Sequence, residues 1–142
     1  MHGVVRADTD AAYEDALTVR YAVFVDEQGV PEELEVDEHE GRATHYVAYA
    51  DDAPVGAARW REYDDETVKV ERVAVRETHR GEGWGARLMD AVEDDARDAG
   101  YERARLHAQT PVVDFYSARG YEQRGEEFEE AGIPHVEMEK PL

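Results

Sequence analysis

Residues Val70 to Leu88 read V-E-R-V-A-V-R-E-T-H-R-G-E-G-W-G-A-R-L, and the fold turns on how this stretch is read. Residues 69–75 are short, β-branched and bounded by charge, which predicts a strand. Three glycines follow at alternate positions, Gly81, Gly83 and Gly85. Beyond them Trp84, Leu88, Val92, Ala96 and Ala99 recur at helical spacing, with Glu93, Asp94, Arg97 and Asp98 off that stripe. A strand, a glycine turn and a helix in succession make an anion site. The first amides of a helix have no internal partner, the dipole is positive there, and glycine lets the backbone come close to a phosphate. The spacing is neither GxxxxGK[ST] nor GxGxxG after a first βαβ strand, which argues against a nucleotide-triphosphate loop and a dinucleotide fold. What remains is Arg80-x-x-Gly83-x-Gly85.

At 142 residues and 42% hydrophobic content, the chain is expected to form a single domain spanning residues 1–142. No run approaches the ~18 apolar residues of a membrane span. Residues 1–6 lack the apolar core of a signal peptide, so a cytoplasmic protein is expected. The absence of cysteine excludes a disulfide framework, a thiol nucleophile and a thiolate zinc site. Six histidines without HxH or HExxH spacing give no case for a metal. Sixteen basic residues against thirty-five acidic ones give a net charge of −19, which makes nucleic acid a poor partner. The acids are scattered along the chain and not blocked at one end, so a halophilic, salt-adapted cytosol is expected. Arg76, His79, Arg80 and Arg87 make the glycine turn a local exception to this background.

Taken in order, residues 4–7 predict a short strand, and Thr9 or Asp10 can cap a helix. Tyr13, Ala16, Leu17, Tyr21, Phe24 and Val25 fall on one helical face, and Gly29 with Pro31 ends the run. Residues 31–41 form an acidic loop without calcium-loop spacing. Residues 45–50 and 55–63 read as a hairpin about Asp51–Pro54, and Asp64-Asp65-Glu66 turns into the central strand. After the long helix stops at Ala99-Gly100, residues 103–108 return as a strand. Thr110-Pro111 then starts a short helix carrying Val112, Phe115 and Tyr116. Tyr121 onward and residues 135–140 read as the last strands. The order β, α, β-β-β, α, β, α, β-β argues for an α+β protein, a mixed sheet of about six to seven strands flanked by helices.

Arg80-x-x-Gly83-x-Gly85 resembles the R/Q-x-x-G-x-G/A signature of the GNAT acetyltransferases, whose turn wraps the pyrophosphate of coenzyme A. The likeness extends over nearly the whole chain. Residues 19–31, V-R-Y-A-V-F-V-D-E-Q-G-V-P, resemble the R-x-x-V-F-V-x-E-Q segment of the ElaA-like branch. Asp37, His45, Ala58-Arg59, His107-Ala108-Gln109, Phe115-Tyr116, Gly120-Tyr121 and Gly132–His135 follow in the branch's order. Gln109 stands where the wider superfamily often has Asn, and Tyr121 where Phe usually follows glycine, which leaves acceptor preference open.

The resemblance implies the GNAT fold, with acetyl-CoA as cosubstrate in the splay between the fourth and fifth strands and no metal. It places the diphosphate on the turn formed by Arg80, Gly81, Glu82, Gly83, Trp84, Gly85 and Ala86. Pantetheine would lie along Val73, Ala74 and Val75, where family members often bulge the strand to free an amide for the thioester carbonyl. Tyr116 would be the general acid that protonates the leaving thiolate. Glu71 would deprotonate the amine through water, although an exposed strand carboxylate there would instead pair with Arg72 or Lys69. His45, His107 and His135 are the other candidate bases. Glu27, Gln28, Asp37 and His45 would line the acceptor pocket. The implied reaction is direct attack by a primary amine through a tetrahedral intermediate, the acceptor being a small amine, an amino acid or a peptide amine. A homodimer is common in the family. Two rivals are a catalytically silent coenzyme A-binding regulatory module and a partner-binding α+β domain. Independently of these, the dispersed acidity predicts that thermal stability rises steeply from low to molar KCl, and a flat denaturation response would contradict salt adaptation.

Overall fold

Residues 1–142 are described by a computed structural model, apart from the side chain of Leu34. After strand β1 (Gly3–Arg6), Thr9 opens helix α1 (Asp10–Arg20): its backbone is extended and its hydroxyl oxygen accepts from the Ala12 amide at 3.2 Å. This fixes the cap on Thr9, not Asp10, and satisfies one orphan amide of the first turn. Past Arg20 the helix widens into a π-helical segment, Tyr21–Glu27, seen in the bond from Gln28 N to Val23 O five residues back. The buried face is Ala16, Val19, Arg20 and Val23, while Tyr13, Leu17, Tyr21, Phe24 and Val25 are only partly covered. The expected stripe is therefore corrected. Small residues of the sheet beneath, Ala57 and Ala74, admit the helix on its Val19 side, and the wider turn shifts the phase beyond Arg20.

One turn of helix, α2 (Glu32–Glu35), and a 3-10 turn (Glu40–Arg42) occupy the acidic loop. Strands β2 (Thr44–Ala50), β3 (Ala53–Glu62) and β4 (Thr67–Val75) form the expected meander. Helix α3 (Trp84–Asp98), β5 (Arg103–Gln109), the short helix α4 (Val113–Ala118), β6 (Glu122–Glu130) and β7 (Ile133–Pro141) complete the chain. The seven strands lie in the order β1-β2-β3-β4-β5-β7-β6, and only β4 and β5 run parallel. No helix among the described residues is long and apolar enough to cross a membrane.

The larger core lies between one sheet face and α3, which buries Trp84, Leu88, Met89, Val92 and Ala96 against Val68, Val70, Ala104 and Leu106. α1 covers part of the opposite face. Two residues of the expected helical pattern differ from the expectation. Ala99 lies exposed past the helix end, and Glu93 is buried. Glu93 is tolerated inside because it accepts from Lys140 Nζ (2.6 Å), Tyr121 OH (2.9 Å) and Arg119 Nη2 (3.3 Å), joining α3 to the end of α4 and to β7.

α3 meets the sheet at Gly56 of β3. A Cβ there would sit 2.9 Å from Leu88 Cδ1, 3.2 Å from Ala48 Cβ and 3.3 Å from the Ala74 carbonyl oxygen. Leu88 is fully buried, so it cannot swing aside, and the carbonyl belongs to the neighbouring strand. Gly56→Ala is expected to cost about 1–3 kcal/mol by overpacking. The result would be a lower denaturation midpoint, and an unchanged midpoint would contradict this packing account.

Candidate functional site

The β4–β5 ladder runs from Thr67–Arg103 to Val70–Leu106 and then stops. Both strands continue, β4 to Val75 against β3 and β5 to Gln109 against β7, so they part while each keeps its outer neighbour. The cause is a bulge. Ala57 faces Ala74 and Arg59 faces Glu71, so Arg72 and Val73 together oppose Ala58. Arg72 has φ 56°, a left-handed conformation unfavourable for a side-chain-bearing residue. A bulge bends and twists its strand, and here it turns β4 away from β5. Between them opens a cavity of about 1010 Å³, bordered by residues 71–75, the glycine turn, the end of β5, and Phe115 and Tyr116 of α4.

At the wide end the turn presents backbone. Gly81 has φ 81° and Gly83 φ 87°, and nothing lies within 4 Å of a Cβ built at either. Gly83 is the N-cap of α3 and supplies no side-chain cap, so the first amides of that helix face open space. Such a cradle suits a phosphate group. Phe115 closes its floor, 3.4 Å from where a Gly85 Cβ would stand. Gly81, Gly83, Trp84, Gly85 and Ala86 all border the cavity, whereas the Glu82 side chain turns away and accepts from Trp84 Nε1 at 3.3 Å.

Arg80 does not offer a free charge. Its Nε donates to the Val75 carbonyl (2.9 Å), and its two terminal nitrogens grip Glu27 at 2.7 and 2.8 Å. These hydrogen bonds hold the Glu27 carboxyl below its ordinary range. The structure thus joins two residues that the sequence assigned to opposite ends of the site. Arg80 braces the turn against β4 and the π-helical segment. Gln28 makes the adjacent link, exchanging amide hydrogen bonds of 3.3 and 2.8 Å with Gln109 of β5.

Tyr116 is buried between Phe115 and Tyr121, whose rings meet it edge-on at 5.0 and 5.7 Å. Burial raises the pKa of its phenol, against a small opposing effect of Arg119. Among the described residues its hydroxyl has no protein hydrogen-bond partner, although Tyr116 borders the cavity. A phenol so placed is protonated at neutral pH and can donate.

On the other side Glu71 is neither exposed nor paired chiefly with Arg72 or Lys69. Its Oε1 accepts from Arg61 Nε (2.9 Å) and Arg59 Nη2 (3.1 Å), and Lys69 Nζ lies 4.0 Å from Oε2. Arg59, fully buried, also donates to Glu40 (2.7 Å) and to both oxygens of Asp37 (3.0 and 2.7 Å). Burial alone would raise the pKa of Asp37, but the hydrogen bonds and charge of Arg59, aided by the His39 amide and Arg72, hold it at about 2. Arg20, equally buried, donates to Glu35 (2.7 Å) and Glu40 (2.6 Å). His45 stands apart from the cavity lining, its Nε2 2.9 Å from the Glu40 carbonyl and its ring edge-on to Tyr13. It supports the charged network and does not line an acceptor pocket.

Sequence reasoning missed Lys69 and Glu130 as cavity residues. Lys69 had one signal, being one of only two lysines in the chain. Glu130, among thirty-five acids, had none. No group of three or more potential metal-ligating side chains was found among the described residues.

Residues 7–142 match the family model described as Acetyltransferase (GNAT) domain. YjcF, an uncharacterized N-acetyltransferase of Bacillus subtilis, is 45% identical over 137 residues, 96% of this chain and 97% of that protein. Escherichia coli protein ElaA is 34% identical over 130 residues, 89% of this chain and 85% of its own. Its crystal structure superposes with a TM-score of 0.85, covering 99% of both chains. A GNAT family acetyltransferase from Elizabethkingia anophelis, crystallised with acetyl-CoA bound, shares the fold with a TM-score of 0.73 at 18% identity over 98% of this chain and 97% of that one.

Proposed function

Since the chain belongs to the GNAT acetyltransferases, we propose that it binds acetyl-CoA in the parting between β4 and β5 and transfers the acetyl group to a primary amine. The observation that carries this reading is the end of the β4–β5 ladder at Val70–Leu106, beside a glycine turn that opens a helix. The backbone amides of residues 81–86, Glu82 included, would hold the diphosphate. Arg80 keeps that turn in place through Glu27 and Val75. The main chain of Val73, Ala74 and Val75, released from β5, would pair with the pantetheine amides as an added strand. Acetyl-CoA supplies the activated acetyl group as a thioester.

The chemistry then falls to groups around the bulge. The amine attacks directly, through a tetrahedral intermediate, and the developing oxyanion is met by an amide of the Arg72–Val73 bulge. A C–N bond forms and the C–S bond breaks. The amine's proton passes through water to Glu71, and the departing thiolate takes a proton from Tyr116. Glu27, Gln28 and Asp37 border the acceptor side, where Gln28 and Asp37 act through the contacts they already make. Residues 1–142 serve as one catalytic unit, and the scattered acids support a salt-adapted cytosol as its setting.

Tyr116→Phe is the direct test of the mechanism. Turnover, followed by thiol release in a protein that has no cysteine of its own, is expected to fall about 100-fold. Acetyl-CoA affinity should change little by comparison. Equal losses in turnover and affinity, or no loss of turnover, would contradict the role given to Tyr116.

A further inference from the structure

Register places Arg61 opposite Lys69, and Lys69 opposite Arg105, across β3, β4 and β5. Directly paired residues share a sheet face, so three cations stand side by side there. Like charges in such positions repel, and composition does not explain them in a chain of sixteen basic and thirty-five acidic residues. The outer two have close carboxylate partners, Arg61 on Glu71 at 2.9 Å and Arg105 on Glu137. Lys69 does not. Among the described residues its single carboxylate within 4.0 Å is Glu71, at that limit, and its nearer contact is His107 Nδ1 at 3.3 Å. Its side chain is only 13% exposed and borders the same cavity as Glu71. Burial lowers the pKa of the ammonium, with Arg61 and Arg105 adding to that and Glu71 and Glu130 opposing it.

Both signs of charge border this part of the cavity, Arg61 and Lys69 beside Glu71 and Glu130, in a protein of charge −19. Arg105 and Glu137 pair with each other outside the lining. A polycationic acceptor would meet the two cations, and a polyanionic one would meet the two carboxylates. A molecule carrying both charges close together suits such a mixed wall. Lys69 and Glu71 are two residues apart on one strand face, so they form a ready dipole of opposite hand to such a zwitterion. We propose that the acceptor is a free α-amino acid, its carboxylate received by Lys69 and its amine presented at Glu71. This rests on the reading of the cavity as an acetyl-transfer site and makes Lys69 the residue that sets acceptor class.

The test compares L-amino acids with their C-terminal amides and their decarboxylated amines, by thiol release at saturating acetyl-CoA. At least one free acid should exceed its amide and amine counterparts by about tenfold or more in kcat/KM. Lys69→Met should collapse that preference, and Lys69→Arg should retain most of it. A panel in which amides or simple amines are preferred overturns the proposal, as does one in which no free acid is acetylated although acetyl-CoA binds by calorimetry. Lys69→Met lowering acid and amide alike overturns the assignment of Lys69. Failure of acetyl-CoA to bind would instead sink the transferase reading itself, and this inference with it.

Discussion

A strand that loses one neighbour must satisfy its backbone elsewhere, and that constraint organises the molecule. β4 is hydrogen-bonded on both edges only as far as Val70. Beyond it the inner edge has no strand partner, and buried amides and carbonyls are costly without one. The parting needs the bulge at Arg72 and Val73, and the bulge needs a residue to hold a left-handed backbone at a cost of about 1–3 kcal/mol. Arg72 is held there by its own side chain, which reaches the Glu35 carbonyl at 3.3 Å and Asp37 Oδ2 at 3.4 Å. The geometry of the cavity therefore depends on a loop more than thirty residues away in sequence.

That loop is fixed by buried charge. Arg20 and Arg59 are enclosed by Glu35, Asp37, Glu40 and Glu71, with Tyr13 donating to Glu40. Burying ions gains little net stability, because desolvation offsets their attraction. Removing one member, however, leaves an unpaired charge inside, at about 3–5 kcal/mol. Such a network admits one arrangement of its members far more readily than any other. It ties α1, residues 35–40, β3 and the bulge into one frame, while the Arg80–Glu27 and Gln28–Gln109 links carry that frame across the mouth of the cavity.

Much of this was legible in the chain because local rules govern it. The hairpin about Asp51–Pro54, the strand at 69–75, the glycine turn and α3 follow from period and turn chemistry, and the structure has them where the residues place them. The rest depends on contacts that no local pattern encodes. Glu93 read as lying off the apolar stripe from helical spacing, yet it is buried because distant cations meet it, and nothing in the α1 pattern marked Arg20 as a buried charge met by distant carboxylates. The π-helical widening after Arg20 broke the 3.6-residue period on which the α1 stripe was read. Arg80 looked like a free cation because Glu27, its partner, lies 53 residues earlier. Among so many acids, no single carboxylate could announce its partner.

The central claim, that the parted strands and the glycine turn together receive acetyl-CoA, is tested most directly by following backbone amide resonances during a titration with acetyl-CoA in molar KCl. The account predicts the largest perturbations at Val73, Val75 and residues 81–86, with residues 122–126 of β6, away from the cavity, unaffected. Perturbations centred away from these residues, or none in folded protein, would contradict it.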